Sequence, residues 1–157
     1  MKDSGRTARV IANVAHGWKY HRVGEESPAR CFYCGELFAE MDHAPPISLA
    51  EKYSGIGWKF FFLVPSCREC NHLLKNVDIP TIDKRMEFLA QKYERRYSKF
   101  LNQPEWTNRE IARVGKNMRK YIRRCIETKG AVERRIEYLR AAQRRAMHLY
   151  VGGDGLA

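Results

Sequence analysis

The stretch Cys31-Phe-Tyr-Cys34-Gly35, then Asp42-His43, then Cys67-Arg-Glu-Cys70-Asn71 decides the reading of this chain. Each Cys-x-x-Cys is a tight turn that aims two sulfurs at one point, and Gly35 permits the positive φ such turns often need. With 32 residues between them, the two turns supply Cys31, Cys34, Cys67 and Cys70. Four soft donors of this kind are what a closed, tetrahedral, structural Zn²⁺ site takes. The remaining Cys125 has no partner at ligand spacing and sits in a helical apolar stripe, where it reads as a small buried hydrophobe.

Around this stretch the chain has room for one domain, or a small domain with an extension, in its 157 residues. No apolar run approaches the roughly 20 residues of a membrane span. The opening Met1-Lys-Asp-Ser-Gly-Arg lacks the apolar segment of a signal peptide, so the expected location is intracellular, in the cytoplasm. In a reducing compartment, paired cysteines favour metal over disulfides.

Charge is unevenly distributed. Residues 1–78 hold 10 Lys/Arg against 9 Asp/Glu, a net of +1, whereas residues 79–157 hold 19 against 9, a net of +10. A half so basic points to a polyanionic partner, of which nucleic acid is the commonest.

Four regions are expected. Residues 1–30 form a partly helical lead, in which Ser4 caps a short helix and Trp18, Tyr20 and His21 pack against the main domain. Residues 31–78 hold the motif in the order knuckle, strand, long loop, strand, knuckle, helix. Alternation over Leu37–Asp42 marks the first strand and Phe60–Val64 the second, which Pro65 is expected to end. The loop with Gly55 and Gly57 should be the least regular part, and a helix should open over Asn71–Lys75. Residues 79–151 read as three amphipathic helices with basic outer faces. Thr81 caps the first, with Ile82, Met86, Leu89, Tyr93 and Tyr97 as its stripe. Thr107-Asn-Arg-Glu110 is a capping box for the second, carrying Ile111, Val114, Met118, Ile122 and Cys125. Gly130 stops it, and Val132, Ile136, Leu139, Ala142, Ala146 and Leu149 line the third. Residues 152–157 are a flexible tail.

The residues between the cysteines carry a different chemistry. Asp42 and the side-chain carbonyl of Asn71 suit a hard divalent cation, Mg²⁺ or Mn²⁺, which takes oxygen ligands and completes its shell with water and phosphate. A neutral His43 can accept the proton of an attacking water. Such a metal would stabilise charge on a scissile phosphate and its leaving oxygen, which is phosphodiester hydrolysis.

CFYCG (31–35), DHAPPIS (42–48) and CRECNHLLK (67–75) together resemble the HNH (ββα-metal) endonuclease family, in its zinc-containing branch. The resemblance covers about a third of the chain. It implies an α+β fold: a small ββα-metal core with a four-cysteine zinc site, plus a mainly α-helical basic C-terminal extension. It implies His43 as general base and Asp42 and Asn71 as ligands of the catalytic metal. His72 is the alternative ligand, although on a helix its side chain should point elsewhere. The family's middle Asn, which braces the loop carrying the His, corresponds to Phe62 here. Either another polar group braces that loop, or the loop is arranged differently.

Lys75 would approach a phosphate, and Arg95, Arg96, Arg113, Lys116, Arg119, Lys120, Arg123 and Arg124 are candidates for contacts to the nucleic-acid backbone. Such contacts give affinity and register rather than sequence choice. The expected partner is double-stranded DNA, in the phage, mobile-element or restriction context of small family members. Two competing readings remain: a non-catalytic zinc-ribbon protein that binds nucleic acid through its basic helices, and an HNH nuclease acting on RNA.

Overall fold

The computed structural model describes residues 20–24, 30–38 and 40–150. The expected N-terminal helix, Trp18 and the flexible tail fall outside them. The molecule is a mixed α+β fold, about 60% helical, with a small three-stranded sheet.

The sheet has the order β1-β3-β2, from β1 (His21–Arg22), β2 (Glu40–Ala44) and β3 (Phe62–Ser66). β2 and β3 run antiparallel, pairing Glu40 with Ser66, Asp42 with Val64 and Ala44 with Phe62. β1 lies parallel to β3 and pairs His21 with Phe62.

β3 runs through Pro65 rather than stopping before it. The carbonyl of Pro65 accepts from the Phe32 amide at 2.8 Å, on the edge away from β2. A strand residue points its N–H and C=O to the same side, so the hydrogen that proline lacks is missing from that edge and not from the β2–β3 ladder.

The loop between β2 and β3 is more regular than its glycines suggest. A 3-10 turn over Ile47–Leu49 leads into α1 (Ala50–Gly55). Ala50, Tyr53 and Phe61 are buried there, with Tyr20, Leu49 and Trp58 packed against them. This apolar cluster supplies the order that backbone propensity does not. Lys52 and the Tyr53 hydroxyl both reach Asp78, Lys52 at 2.6 Å, which anchors the loop to the chain beyond the second knuckle.

α2 (Arg68–Leu74) starts at the second knuckle, three residues earlier than expected. Its N-cap is Cys67, whose sulfur accepts the Cys70 amide at 3.4 Å. The knuckle and the helix start are therefore one structure.

α3 (Ile82–Arg96) buries Ile82, Met86, Leu89 and Tyr93, as its stripe requires. Thr81 stands at its N-cap without a side-chain cap bond. The Tyr150 hydroxyl accepts the Ile82 amide instead, at 2.7 Å. A short α4 (Ser98–Leu101) follows.

The Thr107–Glu110 capping box is present and opens α5 (Asn108–Arg113). That helix ends at Val114, and α6 (Lys116–Ala146) then runs unbroken for 31 residues. Gly130, expected as a stop, lies inside it. A glycine mid-helix costs about 1 kcal/mol relative to alanine. Burying Ile122, Cys125, Val132, Ile136, Leu139, Ala142 and Ala146 along one helix outweighs that. Met118, expected in the stripe, is 53% exposed near the free end.

One hydrophobic core spans both knuckles, the sheet, α2, α3 and the second half of α6, without a break near residue 78. Among the described residues, no helix is long and apolar enough to cross a membrane.

Candidate metal centre and adjoining cleft

The four cysteines converge. The sulfurs of Cys31, Cys34, Cys67 and Cys70 all lie within 4.8 Å of one another, and every one of these residues is buried. Cys34 and Cys67 sulfurs are 3.6 Å apart. Tetrahedral Zn–S bonds of about 2.3 Å place sulfurs about 3.8 Å apart, so the cluster fits a zinc ion. Gly35 closes the first turn at φ 77°, and a Cβ there would stand 3.1 Å from the Tyr138 ring of α6. Two independent constraints thus meet at this glycine.

The cluster has an outer shell that the sequence pattern did not single out. Arg135 of α6 places Nη2 at 3.5 Å from the sulfurs of both Cys34 and Cys67. Its Nη1 is 2.7 Å from Glu69, and its guanidinium lies 4.4 Å above the Tyr93 ring. The Tyr93 hydroxyl bonds Arg135 Nη2 and sits 3.2 Å from the Cys70 sulfur. Burial disfavours a cation here, but the Cys34 thiolate and its neighbours hold the Arg135 charge firmly in place. Four thiolates around one Zn²⁺ carry a net charge of −2, and Arg135 supplies a compensating charge beside them.

The other side of β2 and α2 is open. A cleft of about 380 Å³ is lined by Glu40, Asp42, His43, Arg68, Asn71, His72 and Lys75, among others. The structure thus brings His43, Asn71, His72 and Lys75 to the lining of one cleft. Glu40, which the sequence pattern did not mark, accepts from the Asn71 amide at 2.6 Å and lies 3.6 Å from Arg68.

Asp42 forms the floor of this cleft and is only 3% exposed. Its Oδ2 accepts from the Tyr33 hydroxyl and from Arg85 Nη1, both at 2.6 Å. Arg85 is fully buried, and its Nε donates to the Ile79 carbonyl at 2.8 Å. Burial pushes the Asp42 carboxyl above its ordinary range, while Arg85 and Tyr33 pull the other way. Asp42 therefore ties β2 to α3 as well as facing the cleft.

His43 is half-buried beside Tyr20, whose ring meets it edge-on at 4.8 Å between centroids. The donor set of the cleft, two carboxylates and an amide carbonyl, has the chemistry of a hard divalent cation. Asp42 Oδ2 is committed to Tyr33 and Arg85 and Glu40 Oε2 to the Asn71 amide, so it is exposure, not a spare oxygen, that sets Asn71 and Glu40 apart from Asp42.

The basic candidates separate. Arg95, Arg113, Lys116, Lys120, Arg123 and Arg124 are exposed, the last four on the N-terminal half of α6. Arg96 lies 3.5 Å from Glu69. Arg119 is half-buried, and it donates to the carbonyls of Ile111, Ala112 and Val114 at 3.0 to 3.2 Å. It closes the end of α5 and is spoken for.

The chain matches no protein family, no curated protein and no solved structure.

Proposed function

We propose that this protein is a metal-dependent HNH-type endonuclease that hydrolyses phosphodiester bonds in DNA. The observation that carries this reading is the shared cleft, lined together by Glu40, Asp42 and the half-buried His43 of β2 and by Arg68, Asn71 and Lys75 of α2 and its C-terminal end. This is an arrangement for one polyanionic group.

In this reading His43 takes a proton from the attacking water at an imidazole nitrogen. Arg68 and Lys75 draw the phosphate in and hold it. Asn71, with oxygen from Asp42 or Glu40, would hold the divalent cation, Mg²⁺ or Mn²⁺. That cation supplies Lewis-acid stabilisation of the phosphate and the leaving oxygen. A zinc ion on the four cysteines would tie the Cys31–Gly35 turn to the start of α2, and the exposed lysines and arginines of α6 add backbone contacts to the duplex.

Incubation of purified protein with supercoiled plasmid and Mg²⁺ or Mn²⁺ tests this, with His43→Ala alongside. The expected result is metal-dependent nicking or linearisation that the variant loses while it still folds and binds plasmid. An equally active His43→Ala removes the assigned base. Binding without cleavage by the wild type favours the zinc-ribbon binder, and cleavage of RNA alone favours the RNA nuclease.

A further inference from the structure

We infer that Tyr20 is a positioning residue for His43, holding the strand end and loop that carry it; the inference rests on the nuclease reading above. β2 leaves the sheet at Ala44 and turns through Pro45 and Pro46, so His43 sits one residue from the end of its ladder. Ala44 pairs with Phe62, whose side chain has no hydrogen bond to offer that turn. The tie comes from elsewhere. The Tyr20 hydroxyl donates to the Pro45 carbonyl at 2.8 Å, across 25 residues of sequence.

The same side chain contacts the imidazole directly. Its ring is at 87° to His43 with centroids 4.8 Å apart, and at 81° to Phe61 with centroids 5.4 Å apart. Phe61 is 3% exposed and cannot yield, so the tyrosine is wedged between a fixed wall and the histidine. Its backbone is fixed as well. The next residue, His21, donates to the Phe61 carbonyl at 2.8 Å, and Val23 donates to the Leu63 carbonyl at 2.9 Å. Burial pushes the Tyr20 phenol above its ordinary range, so the hydroxyl keeps its proton and remains a donor at any physiological pH.

Geometry gives this wedge its consequence. A histidine on a strand end can swing about two side-chain torsions, and proton transfer tolerates little misplacement: an error of about 1 Å costs roughly a hundredfold in rate. One bond on the loop and one ring against the imidazole remove most of that freedom. Tyr20 is not among the residues lining the cleft, so its role is to position.

The test compares wild type, Tyr20→Phe and the double variant Tyr20→Phe/Phe62→Asn, which sets an amide opposite Ala44. Two readouts are taken: plasmid-nicking kcat and KM with Mn²⁺, and hydrogen exchange of the amides of Ala44, Ile47, Ser48 and Leu49. Tyr20→Phe keeps the ring and loses only the hydroxyl. It is expected to lower kcat about tenfold, the worth of one hydrogen bond, with KM unchanged and the melting temperature lowered by only about 2–8 °C. Exchange over those four amides should speed up while the rest of the sheet stays protected, and the double variant should recover part of both. Wild-type kcat and wild-type exchange in Tyr20→Phe would overturn the inference. So would a rate loss fully accounted for by the fraction of protein unfolded at the assay temperature. If the wild type nicks nothing, the nuclease reading falls, and the exchange comparison alone decides whether Tyr20 holds the loop.

Discussion

The two sides of the β2–α2 unit carry polar side chains and treat them in opposite ways. On the closed side, Cys70, Asp42, Arg85, Tyr33 and Tyr93 are buried and Arg135 is partly buried; Arg85 stands against Asp42 and Arg135 against Glu69. On the open side, Glu40, His43, Asn71 and His72 border a cleft of about 380 Å³ with Arg68 and Lys75 on its rim. Cys70 and Asn71 are neighbours on one helix yet belong to different sides. The closed side sets its cations against its own anions, so it serves to hold. The open side sets its groups around a cleft that a ligand can enter. A small fold gains a precise cleft by setting its buried polar groups directly behind it.

The largest way to break this division is to empty the closed side. Cys67→Ser should lose its zinc and the cooperative thermal transition together, because metal binding is folding free energy in such a site. Metal analysis and a melting curve check it, and an unchanged melt would separate the cluster from stability. Next comes Arg85→Met, which leaves Asp42 buried without its cation. Removing one partner of a buried pair costs about 3–5 kcal/mol, to be read by chemical denaturation. A loss below about 1 kcal/mol would mean that water reaches Asp42 from the cleft and solvates it, which would move Asp42 to the open side. Arg135→Met should leave the fold standing and weaken zinc about 10- to 100-fold in chelator competition, as for other outer-shell partners.

The smallest effect sharpens the contrast on the surface. Lys120→Glu with Arg123→Glu should flatten the salt dependence of DNA binding, by about 0.9 in slope for each phosphate no longer neutralised. Arg119→Glu, one residue away, should instead destabilise α5, because its guanidinium is already bound to three carbonyls. A fluorescence titration over several salt concentrations, with a melt of each variant, separates the two.

Local patterns in the sequence were informative where a feature is itself local. Four cysteines in two spaced turns announced a cluster, Thr107 and Glu110 a capping box, and the stripe from Ile82 to Tyr93 a buried helix face. Features that depend on distant partners were not legible. Asp42 reads only as a cleft residue in the sequence; its second role, pairing with Arg85 43 residues on, shows when the two are brought together. A signal did exist: Arg85 stands three residues after Ile82 and four before Leu89, so a charge lies in an apolar stripe. Arg135 sits in the same way between Val132 and Leu139. A long basic side chain at a stripe position announces a buried anion without saying which. The run of α6 through Gly130 and of β3 through Pro65 was hidden for another reason, since each local cost is offset by pairing or burial that only the assembled fold supplies.

The contact from Arg135 to Cys34 joins residues 101 positions apart. All four metal-binding cysteines leave the ribosome long before α6 does. A nascent chain can therefore gather its zinc early, but it then carries an uncompensated dianion until the final long helix arrives with its guanidinium. If zinc binds, assembly would be ordered in time: the metal centre first, then the helix drawn onto it by charge. A chain truncated before residue 116 would keep every ligand and still hold its metal poorly.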